Sequence, residues 1–322
     1  MRAIRFDKTG GSDVLKLETI DLPAPAKGEV QLRHTAIGVN FIDTYHRSGL
    51  YPVPLPSGLG KEAAGVVEAV GEGVTEFKVG DRVATGSGPL GMYAEASNIA
   101  AKELVKLPAG VSEEVAAAAM LKGLTAWYLL RETYRVQKGE TILVHSAAGG
   151  VGLILCQWAK ALGVTVIGTV GSEAKAQLAR DAGAAHVLVL SEGWEKKVRE
   201  ITGGEGLPVV YDSVGKDTFE ASLNCLRPRG LMVSFGNSSG AVPPFSPGVL
   251  AAKGSLYLTR PTLFHYIATR PELERAAAEL FAVMESGAVK VEVRQRFPLA
   301  EAKAAHDALE GRKTTGATVL LP

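Results

Sequence analysis

Cysteine is almost missing from this chain: Cys156 and Cys225 are the only two among 322 residues. So small a supply excludes a disulfide-framed secreted scaffold and fits a reducing compartment, with both thiols expected in or near the core. No uninterrupted apolar run is long enough to cross a bilayer, and the first seven residues carry charges where a signal peptide needs an apolar stretch. A cytoplasmic protein is therefore expected. An excess of one charge is also lacking, since 35 Lys and Arg face 34 Asp and Glu, a formal net charge of +1. That balance supplies no electrostatic footprint for nucleic acid or an anionic membrane. The six histidines include no H-x-H or H-E-x-x-H pair, so none begins a metal site by local spacing. Internal repeats and low-complexity tracts are absent too. What remains is ordinary globular material, 46% hydrophobic and 21% charged, at a length that suggests about two domains.

One stretch organises the rest. The apolar run 141–145 meets a small-residue turn, Ala147-Ala148-Gly149-Gly150-Val151-Gly152, and a helix is predicted over 151–162. Val151, Ile154, Leu155, Trp158 and Leu162 fall on one face of that helix at the ~3.6-residue period. Strand, glycine turn and helix in that order open a βαβ nucleotide-binding unit. Backbone can approach a pyrophosphate there, and the helix N-terminus offers unpaired amides and a positive dipole. The G-x-G-x-x-G fingerprint is imperfect, because Ala147 stands where its first glycine belongs. A second strand, 164–169, follows and supports the reading of a dinucleotide site.

NAD-binding units usually place a carboxylate about 20 residues after the glycines, on the ribose 2′-hydroxyl. Here that place reads Thr169-Val170-Gly171, followed by Ser172 and Lys175. With no carboxylate to repel a 2′-phosphate and two groups able to donate to one, NADP(H) is expected over NAD(H). Alternation continues through a helix at 174–182, strands at 186–190 and 209–213, a helix at 219–226 and a strand at 231–235, which predicts a doubly wound parallel sheet of Rossmann type. Ligands sit beyond the carboxyl ends of such strands. The loops holding Gly215 and Phe235-Gly236-Asn237-Ser238 are therefore expected to line the cofactor site.

Residues 1–121 are different: short alternating strands such as 30–34 and 64–70, punctuated by Pro and Gly, suggest an irregular, mostly antiparallel β domain. Two helical runs between 113 and 130 flank Lys122-Gly123-Leu124-Thr125, a candidate hinge into the nucleotide domain. After a last β run at 255–259 come a helix (272–286), a strand (289–294), a helix (300–310) and a strand (318–321), none read as parallel-sheet strands. The expected division is 1–121 with 265–322 as a discontinuous catalytic domain and 122–264 as the nucleotide domain, with the active cleft between them.

Gly38-Val39-Asn40-Phe41-Ile42-Asp43, Gly49-Leu50-Tyr51-Pro52, Leu59-Gly60-Lys61-Glu62-Ala63-Ala64-Gly65, the 122–125 and 147–152 segments, Tyr211-Asp212-Ser213-Val214-Gly215, the 234–240 segment and Thr259-Arg260-Pro261 together resemble the zinc-free, zeta-crystallin-like quinone oxidoreductases. These belong to the medium-chain dehydrogenase/reductase superfamily, and the resemblance runs nearly end to end. It implies a GroES-like fold for the β domain, NADPH as cofactor and a quinone as acceptor. Zinc-dependent relatives carry Cys and His near the places of Asn40 and Lys61, and a four-cysteine lobe after residue 85 that this chain lacks. A quinone delocalises the charge it gains, so no Lewis acid is needed on its oxygen. Holding the nicotinamide against the acceptor is the main requirement.

By the same resemblance, Asn40, Tyr45 and Tyr51, on a loop, face the substrate, with Asn40 and the tyrosines as hydrogen-bond donors. Asn40, Asp43 and Thr125 meet the nicotinamide end, and Gly149, Gly150 and Val151 the pyrophosphate. Gly171, Ser172, Lys175 and Arg312 surround the 2′-phosphate, and Asn237, Thr259 and Arg260 lie along the other flank. Some relatives carry a Tyr on that phosphate where Leu190 stands here. No residue is singled out as a chemical catalyst, and hydride transfer and one-electron steps are not separated. A homodimer is implied through antiparallel pairing of the run from Ser255 to Thr259. Two other readings stay open, a reductase of enones or enoyl thioesters and a nucleotide-binding protein with an RNA-binding or structural, crystallin-like role.

Overall fold

The computed structural model describes residues 1–322. It separates into unit 1, Met1–Leu124 with Ile267–Glu285 and Val291–Pro322, and unit 2, Thr125–Tyr266 with Ser286–Lys290.

The chain opens with β1 (Arg2–Phe6), β2 (Lys16–Thr19) and β3 (Glu29–Val39), then α1 (Phe41–Ser48), β4 (Ser57–Gly58), β5 (Ala63–Val70), β6 (Arg82–Thr85), β7 (Ala96–Ala100) and β8 (Val105–Lys106). Alternation in β3 turns the fully buried Val30 and Leu32 inward, Ile37 follows after an irregularity in the pairing with β5, and all three join a core that also holds Phe6, Leu59, Tyr93 and Ile99. Each such side chain contributes about 1.5–3 kcal/mol of burial. Helix α1 was not foreseen. Asn40 is its N-cap, Asp43 accepts the Asn40 N–H from the third helical position (2.8 Å), and Gly49 ends it with φ of 86°.

Helix α2 (Glu113–Tyr128) replaces the two expected helical runs, continuing unbroken through Lys122-Gly123-Leu124-Thr125, and the boundary between the two units falls inside that segment, after Leu124. The glycine serves close packing rather than bending: a Cβ on Gly123 would lie 2.5 Å from Leu280 Cδ1.

Unit 2 contains β9 (Thr141–Val144), α3 (Gly150–Ala161), β10 (Thr165–Val170), α4 (Glu173–Asp181), β11 (His186–Val189), α5 (Trp194–Ile201), β12 (Leu207–Asp212), α6 (Phe219–Cys225), β13 (Leu226–Ser234), α7 (Gly248–Ala252) and β14 (Tyr257–Thr259). The sheet order is β11-β10-β9-β12-β13-β14, and every adjacent pair is parallel. Chain order reverses between β9 and β12, the switch point of a Rossmann sheet. Helix α5 was also missed at the sequence level. Strand β14 is shorter than the 255–259 run: Ser255 has φ of 56° and lies outside it, leaving three residues.

The chain returns to unit 1 with α8 (Arg270–Glu285), β15 (Val293–Pro298), α9 (Ala302–Glu310) and β16 (Ala317–Leu321). Two expectations change here. The strand predicted at 289–294 begins only at Val293, since Lys290 is bonded through its backbone N–H and carbonyl to the Gln157 amide (2.8 and 3.1 Å) and is unavailable to a ladder. And β15 pairs parallel with β16 across α9, whereas β16 is antiparallel to β3. Unit 1 thus has a mixed seven-stranded sheet, β15-β16-β3-β5-β6-β8 with β7 on β3, beside a three-stranded β2-β1-β4 sheet.

Candidate active site

In unit 2 the residues named for the cofactor gather at the carboxyl ends of parallel strands. After β9 the chain turns at Ser146 (φ 52°), and Gly149 caps α3, so that Gly150 and Val151 open the helix with unpaired amides. The turn is tight enough that a Cβ on Gly152 would sit 2.2 Å from the Ser146 carbonyl oxygen. The missing first glycine is explained by its neighbour. Ala147 packs on Gly168 of β10, where a Cβ would stand 2.7 Å from that of Ala147. Such a cradle fits a pyrophosphate.

At the end of β10, Gly171 has open space around its Cα, Ser172 is the N-cap of α4, and Lys175 lies half-buried in the first turn. The two loops after β12 and β13 are laced together: Ser238 N–H donates to the Ser213 carbonyl and Ser239 N–H to that of Val214. Asp212, fully buried, holds the first of these by accepting from the Val214 and Gly215 amides (2.7 and 3.0 Å) and the Thr218 hydroxyl (2.8 Å). Phe235 follows β13, its N–H donating to the Asp212 carbonyl. With its oxygen toward Arg260 Nη2 (3.3 Å) and its nitrogen toward the Gly236 carbonyl (3.0 Å), the Asn237 amide is satisfied on both sides. Thr259 ends β14 in register with Val233. Thr125, on α2, is buried within the same unit. Arg312 belongs to unit 1, on the turn after α9, exposed and at φ of 56°.

Unit 1 brings together Asn40, Tyr45 and Tyr51, but not as a loop. Asn40 caps α1 and Tyr45 lies inside it, nearly buried, with its ring 5.2 Å from that of Tyr51 and edge-on. The Tyr51 ring also meets His46 at 5.8 Å, a neighbour not expected. One of the two hydrogens of the Asn40 amide, expected as a donor to the substrate, is already engaged within the protein. Asn40 Nδ2 donates to Glu62 Oε2 at 2.8 Å, and only 5% of the residue is exposed. Glu62 is wholly buried and also accepts from the Leu121 N–H (2.7 Å) and the Lys122 ammonium (3.0 Å). Neither Glu62 nor Lys122 was singled out in advance. The signal was a carboxylate leading straight into the apolar stretch 63–67, which requires a partner if it is buried with it.

Asp43 is likewise fully buried. Burial pushes its carboxyl up to about 7, against the lowering effect of the Asn40 amide, the Tyr93 hydroxyl and the Lys122 charge. Expected at the nicotinamide end, Asp43 has no exposed surface, and its Oδ2 accepts the Asn40 N–H.

A parallel six-stranded sheet with a glycine-turn helix, next in sequence to a mostly antiparallel β unit, is the layout of a two-domain nucleotide-dependent dehydrogenase or reductase. Residues 26–109 match the alcohol dehydrogenase GroES-like domain, and residues 150–282 the zinc-binding dehydrogenase family. The chain is 58% identical to the quinone oxidoreductase of Pseudomonas aeruginosa over 323 aligned positions, covering 100% of this chain and 99% of that protein. The crystal structure of Escherichia coli quinone oxidoreductase complexed with NADPH superimposes with a TM-score of 0.98 at 54% identity, covering both chains completely. A 2-haloacrylate reductase of Burkholderia is 47% identical over 98% of this chain and 97% of its own length. The chain belongs to the medium-chain dehydrogenase/reductase family, in its quinone oxidoreductase branch.

The zinc of that family's wider description does not fit these residues. No group of three or more His, Cys, Asp or Glu side chains converges as a metal site. The two positions compared with zinc ligands hold Asn40, tied to Glu62, and Lys61, an ammonium donating to the Gly88 carbonyl (2.9 Å).

Proposed function

We propose that the protein is an NADPH-dependent quinone oxidoreductase that works without a metal. The observation carrying this reading is whole-chain identity above half with proteins named quinone oxidoreductase, one of them crystallised with NADPH. When bound, that cofactor supplies the reducing equivalents. The residues proposed to hold it are Gly149, Gly150 and Val151 at the pyrophosphate, and Gly171, Ser172, Lys175 and Arg312 at the 2′-phosphate. Gly215, Phe235, Gly236, Asn237, Ser238, Thr259 and Arg260 would line its length, with Thr125 and Asn40 at the nicotinamide end. Tyr45 and Tyr51 would stack on and donate to the acceptor.

The Burkholderia relative favours a second reading, reduction of a carbon–carbon double bond activated by a neighbouring carbonyl. Both readings ask the protein to orient two π systems and exclude water. We also place a homodimer contact on β14, a terminal strand of its sheet that leaves Tyr257 62% exposed, since pairing would close that edge. A monomeric mass in sedimentation at micromolar concentration would remove the dimer. No helix is long and apolar enough to cross a membrane.

Steady-state NADPH oxidation against quinones, enones, 2-haloacrylate and enoyl thioesters tests the assignment, with NADH for comparison. Turnover fastest with quinones supports it; turnover confined to activated alkenes replaces it with the second reading. Lys175→Ala should raise KM for NADPH roughly ten-fold or more, as expected for loss of a charged hydrogen bond, and leave that for NADH unchanged. Equal changes would show that Lys175 does not read the phosphate.

A further inference from the structure

Behind Asn40 the β unit contains a row of polar side chains that no reaction step uses. Asp43 Oδ2 accepts from the Asn40 N–H (2.8 Å) and from the Tyr93 hydroxyl (2.9 Å), while Oδ1 is buried without a partner. Tyr93 Oη lies 3.1 Å from His306 Nε2 on α9, and His306 Nδ1 lies 3.0 Å from Arg47 Nη1 on α1. Arg47 then forks onto Glu310 with two bonds of 2.8 Å. Tyr93, Asp43 and His306 show no exposed surface, and Arg47 only 2%.

Chemistry fixes every direction in this row. A guanidinium can only donate, so His306 Nδ1 accepts, Nε2 carries the hydrogen and donates to the Tyr93 oxygen, and the Tyr93 proton is left for Asp43. His306 stays neutral, its imidazole pushed down to about 3 by burial and by Arg47. The row cannot pass protons, because its outer nitrogen is held by a group that does not deprotonate. It can only hold things still.

We propose that Tyr93 and His306 are positioning residues: acting through the Asp43 carboxylate, they fix the backbone of Asn40 at the head of α1, while Glu62 fixes its side-chain amide. This rests on the placement of Asn40 beside the reacting groups made above. The Tyr93 hydroxyl supplies one of the two hydrogen bonds to the single oxygen that grips Asn40. Losing it weakens the grip and favours protonation of Asp43. The charged and titratable groups around Asp43 are Lys122 on α2, Lys61 and Glu62 just before β5, Tyr93, and beyond it His306 and Arg47.

The test compares Tyr93→Phe, His306→Ala, His306→Gln and Asp43→Asn in the full-length enzyme. Tyr93→Phe is expected to lower kcat about ten-fold, the cost of one hydrogen bond to a charged group, with KM for NADPH changed less than two-fold. The acid limb of its pH profile should move to higher pH, and Asp43→Asn should lack that limb. His306→Gln, whose amide can accept from Arg47 and donate to Tyr93, should restore most of what His306→Ala loses. Hydrogen exchange at the 40–43 amides, measured without substrate, should quicken in Tyr93→Phe by an order of magnitude. Unchanged kcat, pH profile and exchange in Tyr93→Phe and His306→Ala would overturn the proposal. If those two variants fail to fold, an acid limb retained in Asp43→Asn overturns it alone. A wild-type enzyme inactive with every acceptor would sink the functional assignment instead, and exchange would still decide on the row.

Discussion

Replacing Lys122 by Met tests whether the buried ion pair behind Asn40 holds unit 1 together. Its side chain is 6% exposed, Glu62 is 0% exposed, and their charged atoms are 3.0 Å apart. Met keeps most of the volume but leaves Glu62 as a buried carboxylate with only two neutral donors, the Leu121 N–H and the Asn40 amide. Deleting one member of a buried pair costs about 3–5 kcal/mol, because the remaining charge is uncompensated. At roughly 2–4 °C per kcal/mol for a unit of this size, the melting temperature should fall by about 6–20 °C. All three tryptophans, Trp127, Trp158 and Trp194, lie in unit 2, so calorimetry is the assay that reports unit 1. The decisive comparison is Glu62→Gln with Lys122→Met in one chain. Its neutral amide can still accept from Leu121 without a stranded charge, so the pair should recover most of the loss, a coupling of at least ~2 kcal/mol. Two effects that simply add, or a Lys122→Met enzyme within ~1 kcal/mol of wild type, would refute the reasoning.

Gly123→Ala separates packing from flexibility in α2. Relief of a helix glycine would stabilise by up to ~1 kcal/mol, but the new methyl meets Leu280 at 2.5 Å and should cost about 1–3 kcal/mol, so calorimetry should show a net loss. Acid sensitivity should follow the buried histidines. His34, whose Nδ1–H donates to the Ala94 carbonyl and whose Nε2 accepts from Ser97, is held down to about 4 by burial, so below pH 6.5 the unfolded chain takes up a proton that the folded one refuses. Its stabilising contribution is present above pH 6.5 and is lost as pH falls toward 4, at about 1.4 kcal/mol per pH unit. Asp43 has the opposite sign: raised to about 7, it contributes most below pH 3.8 and loses that contribution as pH rises to 7. His46, His145 and His306 are lowered by burial like His34, so four histidines oppose the raised Asp43 and Glu103 and stability should climb from pH 4 to 6.5. His34→Gln should flatten that climb by one proton's worth in urea titrations; an unaltered slope would count against it.

The sequence carried the parallel sheet because its central strands β9, β10 and β12 are apolar runs closed by turns of small residues, and burial on both faces leaves little else that such a run can be. It did not carry α1. Eight residues give little periodicity to read, and Phe41, Ile42 and Tyr45 look equally at home in a loop. The cap signal was present, Asn40 followed three residues later by Asp43, with the shorter acid in place of the usual glutamate. Nor could local reading find the support behind Asn40. Asp43, Tyr93 and His306 are separated by 50 and 213 positions, and only the folding of α9 against the β unit makes them neighbours. The parallel pairing of β15 with β16 was hidden because a lone βαβ crossover outside the main sheet has the same pattern as an antiparallel excursion.

The imperfect glycine fingerprint shows how such motifs should be weighed. Between the turn after β9 and the neighbouring strand β10 the backbones are linked by the Ala147 N–H to the Thr169 carbonyl at 2.9 Å, which leaves room for one methyl group at that contact, not two. Gly168 supplies the space, so Ala147 can carry the methyl. Gly152 has no such exchange available. Its missing Cβ faces a backbone carbonyl of its own turn, and no neighbouring side chain could be shortened to make room. A glycine that faces a side chain is replaceable by a compensating change opposite, whereas one that faces backbone is not. The residue most diagnostic of the cradle is therefore Gly152, and an alanine at the first fingerprint position is weak evidence against a dinucleotide whenever the next strand has a glycine facing it.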